Sequence, residues 1–231
     1  MNTVAGGPRA RRRTKELAFI SIAVGGLAIV VGGLLAATYL PALWAYHHYQ
    51  PQEGDVIFQS LPFSELVKAI EGATNSPYSH CGIVAKEDGR WVVYEALTPV
   101  GPTPLREFIF RGRDNAFVVK RLKADHQPHV PKMLATVRSY RGRLYDQRYR
   151  LDDNAEAIYC SELIFLAYRE ATGGQPLGKL VTLGKLKWQP YIELIEQIEK
   201  GPAPLDRQII TPRDLARAEQ LERVYAFGYG R

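Results

Sequence analysis

The sequence predicts a domain of mixed strands and helices standing behind one membrane-spanning helix. Three observations carry this. The run from Leu17 to Tyr46 holds no charged side chain, and it is longer than the roughly 20 apolar residues an α-helix needs to cross a bilayer. Further on, the short apolar segments Ser79–Ala85 and Trp91–Ala96 flank the polar turn Glu87-Asp88-Gly89, which reads as a β-hairpin. Later still, Leu163, Ile164, Leu166, Ala167 and Tyr168 recur at helical spacing until Gly173-Gly174 stops them.

Charge gives the first element its orientation. The chain of 231 residues carries a net +6. Arg9, Arg11, Arg12, Arg13 and Lys15, against Glu16, supply +4 of it before the apolar run. A basic flank stays in the cytoplasm, so residues 1–16 are predicted as a basic cytoplasmic tail. Residues 17–46 follow as a transmembrane signal anchor, and residues 51–231 as a domain outside the membrane. Tyr39, Trp44 and Tyr46 suit an interfacial aromatic belt. A cleavable signal peptide competes, but its apolar region is usually about 7–15 residues long, and Leu35-Ala36-Ala37 only partly matches a cleavage site. Ala28, Gly32 and Ala36 form a small-xxx-small face suited to a weak helix–helix dimer. The rest of the chain is near neutral, with no aromatic-interleaved basic stripe, which excludes nucleic acid as a partner.

The domain is read in order. Glu53 to Gln59 gives a turn and a buried strand, Ser64 to Ile70 a helix, and Asn75-Ser76-Pro77 a turn. The hairpin follows. Thr98 to Arg106 reads as a Pro-rich loop, Ala116 to Leu122 as a strand, and Lys132 to Tyr140 as a helix. Leu180–Leu183 is ambiguous. Tyr191 to Lys200 is amphipathic and helical. Thr211-Pro212-Arg213-Asp214 opens a last helix with an N-cap, Pro at the first helical position and an acid at the third.

Chemistry converges on three residues. Cys160 falls in the first turn of the helix before Gly173, where free backbone N–H groups and the helix dipole favour a thiolate. His80 and Glu95 are ionisable residues in apolar strands. A two-residue hairpin loop sets them on one face, directly opposite if the loop is Glu87-Asp88 and diagonal if it is Asp88-Gly89. Nucleophile, base and orienting carboxylate are the three roles of a Cys-His-Glu triad. Alternation turns Cys81 away from His80, so no Cys81–Cys160 disulfide is expected. Cys81 and Cys160 are the only cysteines and show no zinc spacing. His126 and His129 read as solvated, and no metal or cofactor is predicted.

These residues resemble a known family. Gly142-Arg143-Leu144-Tyr145-Asp146 and Tyr159-Cys160-Ser161-Glu162-Leu163 are similar to the cysteine half of NlpC/P60 peptidases. Gly54-Asp55-Val56-Ile57-Phe58 and His80-Cys81-Gly82-Ile83-Val84 resemble the strand half. Here the strand half comes first, as in the permuted branch, the YiiX/YaeF-like papain-type amidases. The resemblance covers roughly residues 51–215. It implies an α+β papain-like fold, with a bent antiparallel sheet and the nucleophile helix packed on it. It also implies catalytic Cys160, His80 and Glu95, with Tyr145 lining the substrate or oxyanion site. Tyr159 and Glu162 depart from the usual Asp and Gly, so the substrate contacts of ordinary peptidases do not carry over. The expected activity is hydrolysis of an amide, a cell-wall peptide or a related one. A second reading is an acyl hydrolase or transferase on lipid or lipidated substrates, after the lecithin:retinol acyltransferase-like relatives; those carry Asn-Cys-Glu-His, unlike Tyr159-Cys160-Ser161-Glu162. A third is a non-catalytic envelope-binding module, which predicts a decayed triad.

Overall fold

Six strands, every pairing antiparallel, form the sheet on which the domain is built. In spatial order they are β4 (Gly101–Pro104), β3 (Arg90–Glu95), β2 (His80–Glu87), β1 (Val56–Gln59), β5 (Phe117–Leu122) and β8 (Leu221–Phe227). A separate two-stranded ribbon joins β6 (Val181–Thr182) to β7 (Gln208–Ile209). The computed structural model describes residues 33, 37, 39–97, 99–151 and 156–229. The chain divides into two units, residues 1–44 and 45–231. The first unit holds the basic tail, the face of Ala28, Gly32 and Ala36, and most of the anchor predicted over residues 17–46; that prediction lies largely outside the described residues. Among the described residues no helix is long and apolar enough to cross a membrane.

The strands are apolar on both sides because both sides are covered. Phe58, Cys81, Ile83 and Tyr94 face α3 (Val130–Ser139) and α4 (Cys160–Thr172). Ile57, Val84, Val93 and Val119 face the opposite way, against Phe108 and Ile109 of α2 (Leu105–Arg111) and against Ala45 and Tyr49. Asp55 stitches this second layer to the sheet. It is fully buried, accepting from Tyr49 Oη at 2.7 Å and from Arg121 Nε at 2.6 Å. Gly54 before it has φ +89°, and a Cβ there would sit 2.6 Å from Val130 Cγ2. Only glycine fits that approach.

The hairpin register decides the geometry that follows. Glu87 pairs with Arg90, leaving Asp88 (φ +47°) and Gly89 (φ +78°) as a two-residue loop. This is the second of the two predicted loops. With Ile83 opposite Tyr94, Glu95 falls opposite Gly82 and diagonal to His80.

Elsewhere the expected elements hold, with two differences. The helix α1 (Glu65–Thr74) is capped by Ser64, whose Oγ accepts from Val67 N at 3.2 Å. The amphipathic stretch forms α5 (Ile192–Glu199). The last helix, α6 (Pro212–Ala216), is capped by Thr211, which accepts from Asp214 N at 3.1 Å. The stretch read as a loop over Thr98–Arg106 instead forms β4 and the start of α2. Pro102 and Pro104 lack the N–H of a central strand, and an outer edge is where a sheet tolerates them. The helix expected from Lys132 begins at Val130, with Pro131 inside its first turn.

Candidate active site

Cys160 opens α4, and the chain on either side of it is tied down. The Glu162 carboxylate accepts from Tyr159 N at 3.2 Å, satisfying a free donor at the helix start. Tyr159 Oη accepts from Ile210 N at 3.1 Å, and Ser161 Oγ donates to Ile210 O at 2.8 Å. Tyr159, Ser161 and Glu162 are all fully buried. Tyr159 and Glu162, the two departures from the Asp and Gly of ordinary NlpC/P60 peptidases, thus help hold the nucleophile's turn. The Tyr145 loop is drawn alongside by a parallel bridge between Leu144 and Ala157, with Ile158 N donating to Leu144 O at 2.8 Å. Asp146 holds that loop by accepting from Arg148 N and Arg150 N at 2.9 and 2.8 Å.

His80 begins β2 and is buried. Its Nε2 lies 2.5 Å from Glu95 Oε2, and Cys160 is close enough to raise the ring's pKa. Phe108 stacks on it, with centroids 5.7 Å apart. A Cβ at Gly82 would lie 2.3 Å from Val93 Cγ1 and 2.8 Å from Tyr94 O; glycine lets β3 close on β2 where Glu95 reaches His80. Glu95 is held by two further donors, Arg111 Nη2 and Thr103 Oγ1, each at 2.5 Å.

The electrostatics follow. Burial pushes the His80 pKa down, but the hydrogen bonds and charges of Cys160 and Glu95 outweigh it and raise it to about 9. Burial pushes Glu95 up, yet His80 and then Arg111 hold it down at about 2. The Cys160 thiol is pulled well below its ordinary value, first by a hydrogen bond from Cys81 and then, against burial, by His80. Burial, followed by the bond to Cys160, drives Cys81 the other way. These directions favour a thiolate–imidazolium pair with a carboxylate behind it and a protonated thiol beside it.

Tyr145, Cys160, His80 and Glu95 are thus brought together. Tyr145 Oη bonds Tyr149 Oη at 2.9 Å, and burial, then Tyr149 and Cys160, hold its phenol protonated. One expectation is corrected. Alternation does turn Cys81 from the His80 face, but α4 packs on that other face, so Cys81 meets Cys160. Both remain free thiols. His126 is also not simply solvated, since its Nδ1 pairs with Tyr168 Oη at 2.8 Å. Sequence reasoning missed Arg111, Thr103 and Tyr149. The first two lie in the stretch read as loop or just beyond it, and Tyr149 follows no periodic pattern.

A helix-covered antiparallel sheet with a cysteine at a helix start and a histidine on a strand defines a papain-like thiol hydrolase. The chain belongs to the permuted papain-like amidase family (YaeF/YiiX), whose model matches residues 50–225, and it is a cysteine hydrolase of amide bonds. It is 33% identical over 179 residues to YiiX of Escherichia coli (strain K12), covering 76% of this chain and 87% of that protein. It is also similar to a crystal structure of YiiX from Escherichia coli O157:H7, with TM-score 0.68 and 30% identity over 78% of this chain and 99% of that one. That YiiX is described as a metalloprotein. Among the described residues here, no group of three or more His, Cys, Asp or Glu side chains could hold a metal ion.

Proposed function

We propose that the chain hydrolyses an amide of the cell envelope from the outer side of a membrane to which residues 17–46 anchor it. Cys160 is the nucleophile, His80 its base and acid, and Glu95 the group that orients and charges His80. The observation that carries this reading is His80 Nε2 held 2.5 Å from the Glu95 carboxylate, on a ring whose titration Cys160 also raises. The Cys160 sulfur attacks the carbonyl carbon, a C–S bond forms, and the carbonyl electrons move onto oxygen. Tyr145 Oη donates to that oxygen. As the C–N bond breaks, the imidazolium gives its proton to the departing amine. His80 then takes a proton from water, which attacks the thioester and restores the Cys160 thiolate. A decayed binding module would lack such a set. The basic cluster from Arg9 to Lys15 supports the outward orientation.

A thiol-reactive activity probe on native membranes, with envelope metabolites compared between the native and Cys160→Ala strains, tests this. Labelling should vanish in the variant and an intact amide should accumulate. Undiminished labelling of the protein in Cys160→Ala would remove Cys160 from the chemistry.

A further inference from the structure

One edge of the sheet gathers positive charge that nothing beside it neutralises. Lys120 of β5 stands directly opposite Arg223 of β8, and like charges so placed repel. The ladder slips to bring this about. Val119 pairs with Tyr225 and Lys120 with Arg223, so Val224 is an extra residue in β8. Without that bulge Val224 would stand opposite Lys120, and Arg223 would turn to the other side of the sheet. A bulge that trades a neutral pair for a repulsive one does not serve the fold alone.

The two cations line a pocket of about 310 Å³ together with Arg217, at the end of α6, and with Arg213 and Tyr78. Arg213 is already committed, its Nη2 lying 2.9 Å from Asp214 Oδ1 and its Nη1 donating to Thr74 O at 2.6 Å. Among the described residues, no carboxylate pairs with Lys120, Arg217 or Arg223. Lys120 is half-buried, and burial, then the Arg223 charge, hold its ammonium below the ordinary value. The place is not remote from the chemistry. Lys120 pairs with Val56 and Val118 with Phe58, which sets the pocket on the face of the sheet that α4 covers. Its wall from Asn75 to Tyr78 runs straight into Ser79-His80.

We propose that this pocket is a binding site for a phosphate group, free or as the monoester of a larger molecule. Such a group brings about two negative charges and several acceptor oxygens to Lys120, Arg217 and Arg223. A carboxylate brings one charge and would leave most of the repulsion standing. The guanidinium forks suit two phosphate oxygens at once, and the lysine supplies a point charge between them. Cations gathered in one pocket, with no basic stripe leading away from it, fit a single group and not a nucleic-acid backbone. The site is independent of the role given to Cys160.

Calorimetric titration of inorganic phosphate into the full chain in maltoside micelles, at constant ionic strength in chloride, tests it. Binding should saturate at a single site. Lys120→Met and Arg223→Gln should each weaken it about tenfold or more, the loss of a charge-assisted hydrogen bond. Lys179→Met, which removes the same charge from an exposed position, should leave it unchanged. Melting curves give a second reading. Without phosphate, Lys120→Met should melt above wild type because the repulsion is gone, and phosphate should then raise its melting temperature less than it raises that of wild type. Should Lys120→Met fail to fold, Arg217→Gln, exposed and outside the sheet, should show the same weakening. Glycerol 3-phosphate in place of phosphate separates the sources: tighter binding assigns the site to a phosphate monoester, and equal or weaker binding to free phosphate. No saturable binding of either, binding untouched by the pocket substitutions, or an equal loss in Lys179→Met overturns the proposal.

Discussion

Replacing Glu95 by Gln isolates the charge that the triad places behind His80. Glu95 is 2% exposed and bonded to His80, Arg111 and Thr103. The amide keeps hydrogen-bonding capacity but not the charge. His80 stands at about 9 against an ordinary 6.5, which corresponds to roughly 3 kcal/mol in favour of the imidazolium. Cys160 is the first contributor to that rise and Glu95 the second. Losing the Glu95 share should lower His80 by about one to two units, or roughly 1.4–2.7 kcal/mol, and reduce turnover by about tenfold to a hundredfold. The sign follows from a raised value: the imidazolium is fully present below 6.5 and is lost as pH rises through about 9. The assay is the pH dependence of iodoacetamide alkylation, which reads the thiolate without a known substrate. Wild type should show two steps, one at the low Cys160 value and one near 9 as the thiolate loses its imidazolium. In Glu95→Gln the upper step should move to lower pH. The variant also leaves Arg111 facing a neutral amide, costing about 1–3 kcal/mol of stability. If Glu95 merely pairs with Arg111, the melting temperature falls while the upper step and turnover stay put. That result would refute the orienting role.

Cys81→Val removes the first contributor to the low Cys160 value, so the lower alkylation step should move to higher pH. The similar volume limits the stability change to about 1.5 kcal/mol; an unmoved lower step would show that the Cys81 thiol does not support the thiolate. Tyr145→Phe should lower kcat by about 10²- to 10³-fold with little change in KM if the hydroxyl donates to the oxyanion. A full kcat would confine Tyr145 to its bond with Tyr149. A topology reporter fused after Gln52 should signal from outside the membrane; a cytoplasmic signal would reverse the orientation, and a mature chain beginning near Thr38 would show a cleaved signal.

The parts of this molecule that were legible in the sequence are those whose physics is local. A hairpin loop of Asp88 and Gly89 follows from residues that tolerate positive φ, and the diagonal relation of His80 to Glu95 follows from that loop. Ser64 and Thr211 cap helices where their side chains predict it. Illegible elements depended on a neighbour elsewhere in the chain. β4 carries two prolines and exists because β3 offers an edge; β8, with its consecutive Glu222 and Arg223, is a strand because β5 pairs with it. The site divides the same way. Cys160, His80 and Glu95 stood out as chemically odd residues in their own segments, but Arg111 reaches Glu95 only through a helix that the prolines before it concealed. Cys81 makes the point most sharply. Alternation correctly sets it opposite His80, yet which face α4 would cover is a tertiary fact. Because α4 lies on the Cys81 face while His80, at the first position of β2, still acts on Cys160, both neighbouring residues tune the nucleophile at once. A strand interior could not offer two consecutive side chains to one atom. The end of a strand can, and that is where this chain sets its catalytic histidine.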